Sequence, residues 1–427
     1  MRTLLVPLVG AFASGFAPSL VAAAIPLMAV GEMGSGLFVS AAMFAMVLSS
    51  AAGGFLADRL GRVRAMQLSG ACALASIPFV CAPGDVFSLA IAGRFVLGFG
   101  LGLFSVLLPL YLAETLPVER RGRASALYQF ANSLGGVTGA GVGFAVALGD
   151  MSSAFAWRVD ILALAPVLIL FLFGTLMLER GADCRDVGRQ HEGRASGQDR
   201  GFCLKRPLLI ACALLALTSA TGIGVVMHYS VAILCAAGLA GASANGADIM
   251  MRIAALVAPL VSLPFIERRG RRFVLCVGLV GVTLSLVAVP IFMLLSCARL
   301  VACSLCILVG FFSFGPGACV WLLAAEILPA PIRARGVSFA LLGNQIVTAL
   351  ASFVFPLLMS ASPALPFALF ACGAAAYGIL ARALPEMEQP LLQKAGRTRG
   401  LDLAERGRWA GVMRKGLRVK TTKTTKL

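Results

Sequence analysis

Two kinds of side chain in this sequence have chemistry to offer. The first kind makes ion pairs. GGFLADRLGRVRA (Gly53–Ala65) sets Asp58 among Arg59, Arg62 and Arg64, around Gly61, straight after an apolar run. AETLPVERRG (Ala113–Gly122) sets Glu114 ahead of Arg120 and Arg121. Both patterns return later, as ERRGRR (Glu267–Arg272) and as AEILPAPIRARG (Ala325–Gly336). Opposite charges at adjacent helix ends pair, and a pair made in one conformation and broken in another acts as a gate. The gating candidates are Asp58, Arg59, Arg62, Glu114, Arg121, Glu267, Arg268, Arg271, Glu326 and Arg335. Arginines that merely mark topology would need neither the repeated acid nor the repeated glycine.

The second kind is polar but stands inside an apolar run. The Gln129 amide has two donors and an acceptor, which suit a vicinal diol or an interhelical hydrogen bond. Trp321 can stack on the apolar face of a sugar and donate its indole N–H, or simply pack. Asn344 and its neighbour Gln345 offer the same amide chemistry. His228, beside Tyr229, suits a neutral hydrogen bond or a proton acceptor. Arg94 lies about a third of the way into its run, where a lone cation is costly, so it calls for an acid or for water. Asp160 is the candidate partner. Asp248 and Arg252, four apart, can satisfy each other.

These residues are embedded in an unusual background. Of the 427 residues, 59% are hydrophobic and 13% charged, with a mean hydropathy of +0.92. A soluble domain carries about a quarter charged residues, so the solvent implied is lipid. Twelve apolar runs follow, beginning near Leu4, Ser35, Ala65, Val86, Ala124, Ala154, Pro207, Asn245, Phe273, Leu300, Val337 and Pro366. Each approaches the roughly 20 residues a membrane-spanning helix needs. The first lacks a polar cleavage region and reads as a span, not a signal peptide. GLGLFS and GGVTGAGVG lie within spans and read as close-packing faces. The twelve cysteines show no metal or disulfide spacing.

Charge orients the runs. The net charge is +17, yet the basic residues sit between apolar blocks, so nucleic-acid binding is not implied. Of the 36 Lys and Arg, all but Arg94, Arg158, Arg252 and Arg299 fall at the start, in the even-numbered connections or in the tail. That asymmetry predicts cytoplasmic termini in a multi-pass protein of a plasma or inner membrane. The matched motifs lie 209 residues apart (Asp58 to Glu267) and 212 apart (Glu114 to Glu326). Two pairs at nearly one offset predict a duplicated six-helix unit in parallel orientation, with a substrate site between the halves. The expected domains are a bundle over 1–178, a connecting loop over 179–206, a second bundle over 207–383 and a basic tail over 384–427.

At these residues the sequence resembles the sugar porter branch of the major facilitator superfamily. The carriers of the resemblance are Gly54, Asp58, Arg59, Gly61 and Arg62; PLYLAETLPVERRG (Pro109–Gly122); YQFANSLG with Gln129; and Trp157–Arg158. They continue with FGPGACVWLLAAEILP (Phe314–Pro329), GNQ (Gly343–Gln345) and LPEME from Leu384. The resemblance spans all twelve runs and implies ligand contacts by Gln129, Trp321 and Asn344. Where hexose carriers of the family show Q-Q-x-x-G-x-N, this chain has Thr218, Ser219 and Gly224. The two hydroxyls are expected in the same cavity, too short to bridge to a hexose as glutamines do. The family's proton symporters carry an Asp in span one, where Ala17 stands here.

The reading is an all-α membrane protein with twelve transmembrane helices in two six-helix bundles. It is a monomeric secondary transporter in the lipid bilayer, moving a small neutral sugar or polyol by alternating access. Uniport is expected, and no cofactor, metal or enzymatic activity. The alternatives are a carrier of an amino-acid-like or ionic metabolite, and a nutrient sensor that does not transport.

Overall fold

A computed structural model describes residues 2–28, 30–82, 87–149, 153–178, 205–327 and 333–383. The side chains of Arg121, Glu267, Trp321, Glu326 and Arg335 lie outside the described residues, as do residues 179–204 and the tail from 384. Among the described residues all regular structure is helical. The α-helices are α1 (Arg2–Ala24), α2 (Glu32–Leu60), α3 (Arg62–Val80), α4 (Phe87–Thr115), α5 (Val118–Leu148), α6 (Ser153–Leu162) and α7 (Leu164–Leu176). They continue as α8 (Lys205–Ala220), α9 (Ile223–Ala236), α10 (Gly241–Arg269), α11 (Arg271–Leu294), α12 (Ala298–Phe314), α13 (Pro316–Ile327), α14 (Arg333–Ala361) and α15 (Ala364–Ala383). A 3₁₀ turn, Ile25–Leu27, follows α1.

Among the described residues twelve spans are long and apolar enough to cross a membrane, each starting within a few residues of its expected position. Three are broken, each for a local reason. Pro166 has no N–H to give the carbonyl of Leu162, and α6 ends there. Gly222 adopts φ +74° between α8 and α9. Pro316, which cannot continue the ladder of α12, opens α13.

The two short connections after spans two and eight are the same device. Gly61 (φ 84°, ψ 154°) separates α2 from α3, and Gly270 (φ 81°, ψ 163°) separates α10 from α11. Each glycine N–H closes the preceding helix, on Ala57 and Ile266 respectively, at 3.1 Å. An L side chain is strained at such a φ, so the glycine of each repeated motif is a backbone requirement.

Glycine also sets the packing. α1 lies on α5 with Gly15 against the Asn132 carbonyl and Gly135 against that of Phe12. The halves meet where α2 packs on α14, α5 on α10 and α1 on α9. The core runs continuously across both halves, from Phe16, Phe38 and Phe104 to Tyr229 and Phe355. Outward-facing Leu48, Phe55, Phe173, Leu284 and Ile379 are more than half exposed on helix surfaces, the arrangement expected when lipid is the solvent.

Candidate functional site

Antiparallel succession puts the start of α1, the end of α2 and the end of α15 on one face, the terminal face; the opposite one is the far face. On the terminal face the first expected ion-pair cluster is formed. Arg62, the first residue of α3, donates Nε–H to Glu114 Oε2 (2.9 Å) and Nη2–H to Glu114 Oε1 (3.0 Å). Its Nη1 donates to Asp58 Oδ1 (2.8 Å) and to the Ala57 carbonyl (2.9 Å). One guanidinium thus closes the end of α2 and ties it to the end of α4. The fork on Glu114 is the stronger part, because it is bidentate and those side chains are 20% and 17% exposed, against 73% for Asp58.

All three residues belong to the first half, so the pair braces that half; a contact across the halves is not among its bonds. Arg59 stands apart, its guanidinium 4.3 Å from the Phe55 ring centre. In the second half, Arg268 is exposed and Arg271 opens α11. The matching acids, Glu267 and Glu326, fall outside the described side chains, as do Arg121 and Arg335.

The far face is closed between the halves. The Tyr229 hydroxyl of α9 lies 3.0 Å from the Ser352 carbonyl of α14 and 3.2 Å from the Ser35 carbonyl of α2, one proton facing two acceptors. Its ring lies 5.1 Å from that of Phe355. Nearby, Gly36 meets the Phe353 carbonyl. A cavity of about 240 Å³ adjoins this latch, lined by Glu32, Ser35, Phe355, Met359 and Ser360 among others. The sequence reading singled out His228 and passed over Tyr229; its only signal was a hydroxyl-bearing ring in an apolar run.

On α5, Gly143 meets Ala23 of α1 and then Asn245 of α10, and Gly136 meets Ser19 and Gly15 of α1 and then Arg252 of α10. Gln129 continues that stripe seven residues further, and it is exposed. At 100° per residue it lies about 140° round the helix from Leu134, the middle of the exposed apolar stripe that includes Leu127, Phe130 and Leu148. Gln129 therefore lies off the lipid-facing stripe of α5. Gln345 has the same relation to the exposed Leu350 of α14, about 140° away. The two amides come from opposite halves.

Three of the other expected ligand residues make hydrogen bonds within the protein. Asn344 Nδ2 donates to the Leu215 carbonyl (2.7 Å), and the Ser219 hydroxyl lies 3.0 Å from the Asn344 carbonyl and 2.8 Å from Thr348 Oγ1. Together they tie α8 to α14. Thr218 donates back to the Leu214 carbonyl (2.8 Å). Thr218, Ser219 and Asn344 thus make bonds to helix carbonyls, as hydroxyls and amides in a span commonly do. Trp321 lies on α13, its side chain undescribed.

The buried charges divide. Asp248 and Arg252 pair as expected, Nε to Oδ2 at 2.8 Å, and Arg252 Nη2 also donates to the Met227 carbonyl (3.0 Å). Arg94 does not pair with Asp160. Its Nε reaches the Phe38 carbonyl at 3.4 Å, and its guanidinium stands 5.2 Å from the Phe38 ring centre. Asp160 is fully buried on α6, and neither oxygen has a hydrogen-bond partner among the described residues. His228 Nδ1 lies 2.6 Å from the carbonyl of Gly224, the position where the family's asparagine is missing.

Comparison with known proteins agrees with this architecture. A family model described as "Sugar (and other) transporter" matches residues 18–180 and 187–395. A D-xylose-proton symporter-like protein of Arabidopsis thaliana is 30% identical over 366 residues, covering 75% of this chain and 72% of the relative. The major myo-inositol transporter IolT of Bacillus subtilis (strain 168) is 29% identical, covering 76% and 77%. Among solved structures, that of a D-xylose-proton symporter superimposes with a TM-score of 0.80 at 20% identity, over 90% of this chain and 98% of that one. With a twelve-span all-helical fold and a family match along both halves, the chain belongs to the sugar porter family of the major facilitator superfamily.

Proposed function

We propose that this protein carries a small polyhydroxy solute, a sugar or polyol, across the membrane by alternating access between two six-helix halves (1–178 and 207–383), acting as a monomeric uniporter. The observation that carries the proposal is the Tyr229 contact, which ties the halves together near the far face. Tyr229 joins α9 to α2 and α14 at one end, while Gln129 and Gln345 lie off the lipid-facing stripes of α5 and α14. A carrier tied at one face admits solute from the other, and the opposite state follows when the latch opens and the terminal ends close. Relatives that carry xylose or myo-inositol support the solute class.

Uniport is supported by Ala17, which is 2% exposed and offers no carboxyl in the first span. The basic residues of the terminal face support its assignment to the cytoplasm. One observation favours a second reading, proton coupling: the buried Asp160 carboxyl has no hydrogen-bond partner among the described residues. Uptake of labelled xylose, glucose, inositol and amino acids into proteoliposomes tests the solute class. Saturable uptake and counterflow of the polyhydroxy compounds alone is expected; uptake of amino acids alone would end the proposal. Proton flux accompanying solute would replace uniport with symport. A reporter fused after Leu427 should be reachable only from inside intact cells.

A further inference from the structure

The cavity of about 240 Å³ beside the Tyr229 latch takes no part in the transport cycle just described. Its walls come from both halves. Glu32 and Ser35 come from the start of α2, Ile233 from α9, and Phe355, Met359 and Ser360 from α14. These are the three helices that the Tyr229 hydroxyl joins, so the cavity exists only while the halves are held together at the far face. Glu32 and Ser360 are exposed, so it is reached from the far side. A ligand seated there touches both halves and fits one conformation alone. Such a preference shifts the conformational equilibrium toward the state that binds.

The polar groups of the cavity are acceptors. The Ser35 hydroxyl donates to the Glu32 carbonyl (2.9 Å), and the Ser360 hydroxyl to the Leu357 carbonyl (3.0 Å). The Tyr229 proton faces the Ser35 and Ser352 carbonyls. Each of these hydroxyl protons is committed within the protein, while the oxygens keep lone pairs. Glu32 is the one charged side chain among the described lining residues, and its carboxylate accepts only. The backbone adds the same sign: α9 and α14 reach the cavity near their C-terminal ends, Ala236 and Ala361, against the single N-terminus of α2.

An anion finds no donor in such a site. A neutral polyol brings hydrogens but leaves Glu32 without a counter-charge and sets hydroxyls against Phe355 and Met359. A primary ammonium brings a positive charge and three N–H donors, and an apolar body behind it covers the ring and the thioether. The volume is below the roughly 300–1,000 Å³ of drug-sized sites, which suits a body of a single ring.

We propose that this cavity is a regulatory site for a small primary amine with an apolar body. The amine enters from the far side, seats its ammonium on Glu32 and on the Ser35 and Ser360 oxygens, and holds the far face closed. The inference goes beyond the reading of the protein as a sugar or polyol carrier and does not depend on which solute it moves.

The test compares benzylamine with benzyl alcohol and with benzyltrimethylammonium, by calorimetry on the full chain in nanodiscs. Benzylamine should bind at least about fivefold more tightly than the alcohol, which has one donor and no charge. The quaternary cation, charged but without an N–H, should also bind more weakly. Because Glu32 is exposed, Glu32→Gln should weaken benzylamine by about two- to fivefold, the range of a solvent-screened ion pair, and leave the alcohol unchanged. Ser352 is fully buried beside the latch. At ten times its dissociation constant, benzylamine should therefore slow labelling of Ser352→Cys by a far-side impermeant maleimide by about elevenfold. Equal affinity for amine and alcohol, equal affinity for the quaternary cation, or an unaltered amine affinity in Glu32→Gln would overturn the site. Tight binding with unchanged or faster labelling would overturn its hold on the far face. None of these readouts needs a transported solute, so their failure leaves the carrier intact, and a failed uptake assay leaves the amine site intact.

Discussion

Replacing Tyr229 with Phe isolates the far-face latch. The substitution keeps the ring, and with it the contact to Phe355 at 5.1 Å, and removes one hydroxyl proton shared by two carbonyls. Ser35 and Ser352 lie inside α2 and α14, where their carbonyls retain ladder bonds, so no acceptor is stranded. The loss is then one ordinary hydrogen bond, ~0.5–1.5 kcal/mol. Because that bond joins the halves only while the far face is closed, the whole of it acts on the conformational equilibrium. The ratio of far-closed to far-open protein should fall by about 2- to 12-fold at the thermal energy of 0.59 kcal/mol. Tyr229→Ala should cost more, roughly 3–5 kcal/mol, part of it in folding stability, because the ring leaves the core.

The readout is labelling of Ser352→Cys by an impermeant maleimide from the far side, in a cysteine-depleted background. The Ser352 side chain is fully buried, and only its backbone oxygen takes part in the latch, so the probe leaves the bond in place. Tyr229→Phe should accelerate labelling by a factor within that range. Labelling that is unchanged or slower would refute the latch.

Three further outcomes follow from particular contacts. Glu114→Gln should slow turnover more than Asp58→Asn, because Glu114 makes the bidentate half of the Arg62 cluster and Asp58 is largely in solvent; stopped-flow uptake checks this, and lost affinity at unchanged turnover would contradict it. Gly61→Ala and Gly270→Ala should each lower thermal stability, by about 1–2 kcal/mol, because both positions need a left-handed φ; Gly54→Ala, where a Cβ meets nothing within 4 Å, should be near neutral in the same melting assay. Gln129→Ala and Gln345→Ala should each weaken solute binding by at most about tenfold without changing stability, whereas Asn344→Ala should lower stability through the lost Leu215 bond; calorimetry beside a melting curve separates the two, and a destabilised Gln129→Ala would place that residue in the scaffold.

Sequence alone determined the number of spans and their starts, because burial in lipid imposes length and apolarity on every crossing helix one at a time. It also determined the internal duplication and the members of the Arg62 cluster as candidates, whereas the choice of Glu114 as the bidentate partner came from the packing of α4 beside α2 and α3. Periodicity could not say where a polar side chain in a span would spend its hydrogen bonds. Asn344, Ser219 and Gln129 look alike in sequence, yet the first two bond across α8 and α14 while Gln129 is left exposed on α5. Arg94 and Asp160 suggested a pair, and the packing of α4 on α2 gave Arg94 the Phe38 carbonyl and ring. The Tyr229 latch needs three helices from distant parts of the chain, 123 and 194 residues apart, and such a contact exists only once the halves have docked.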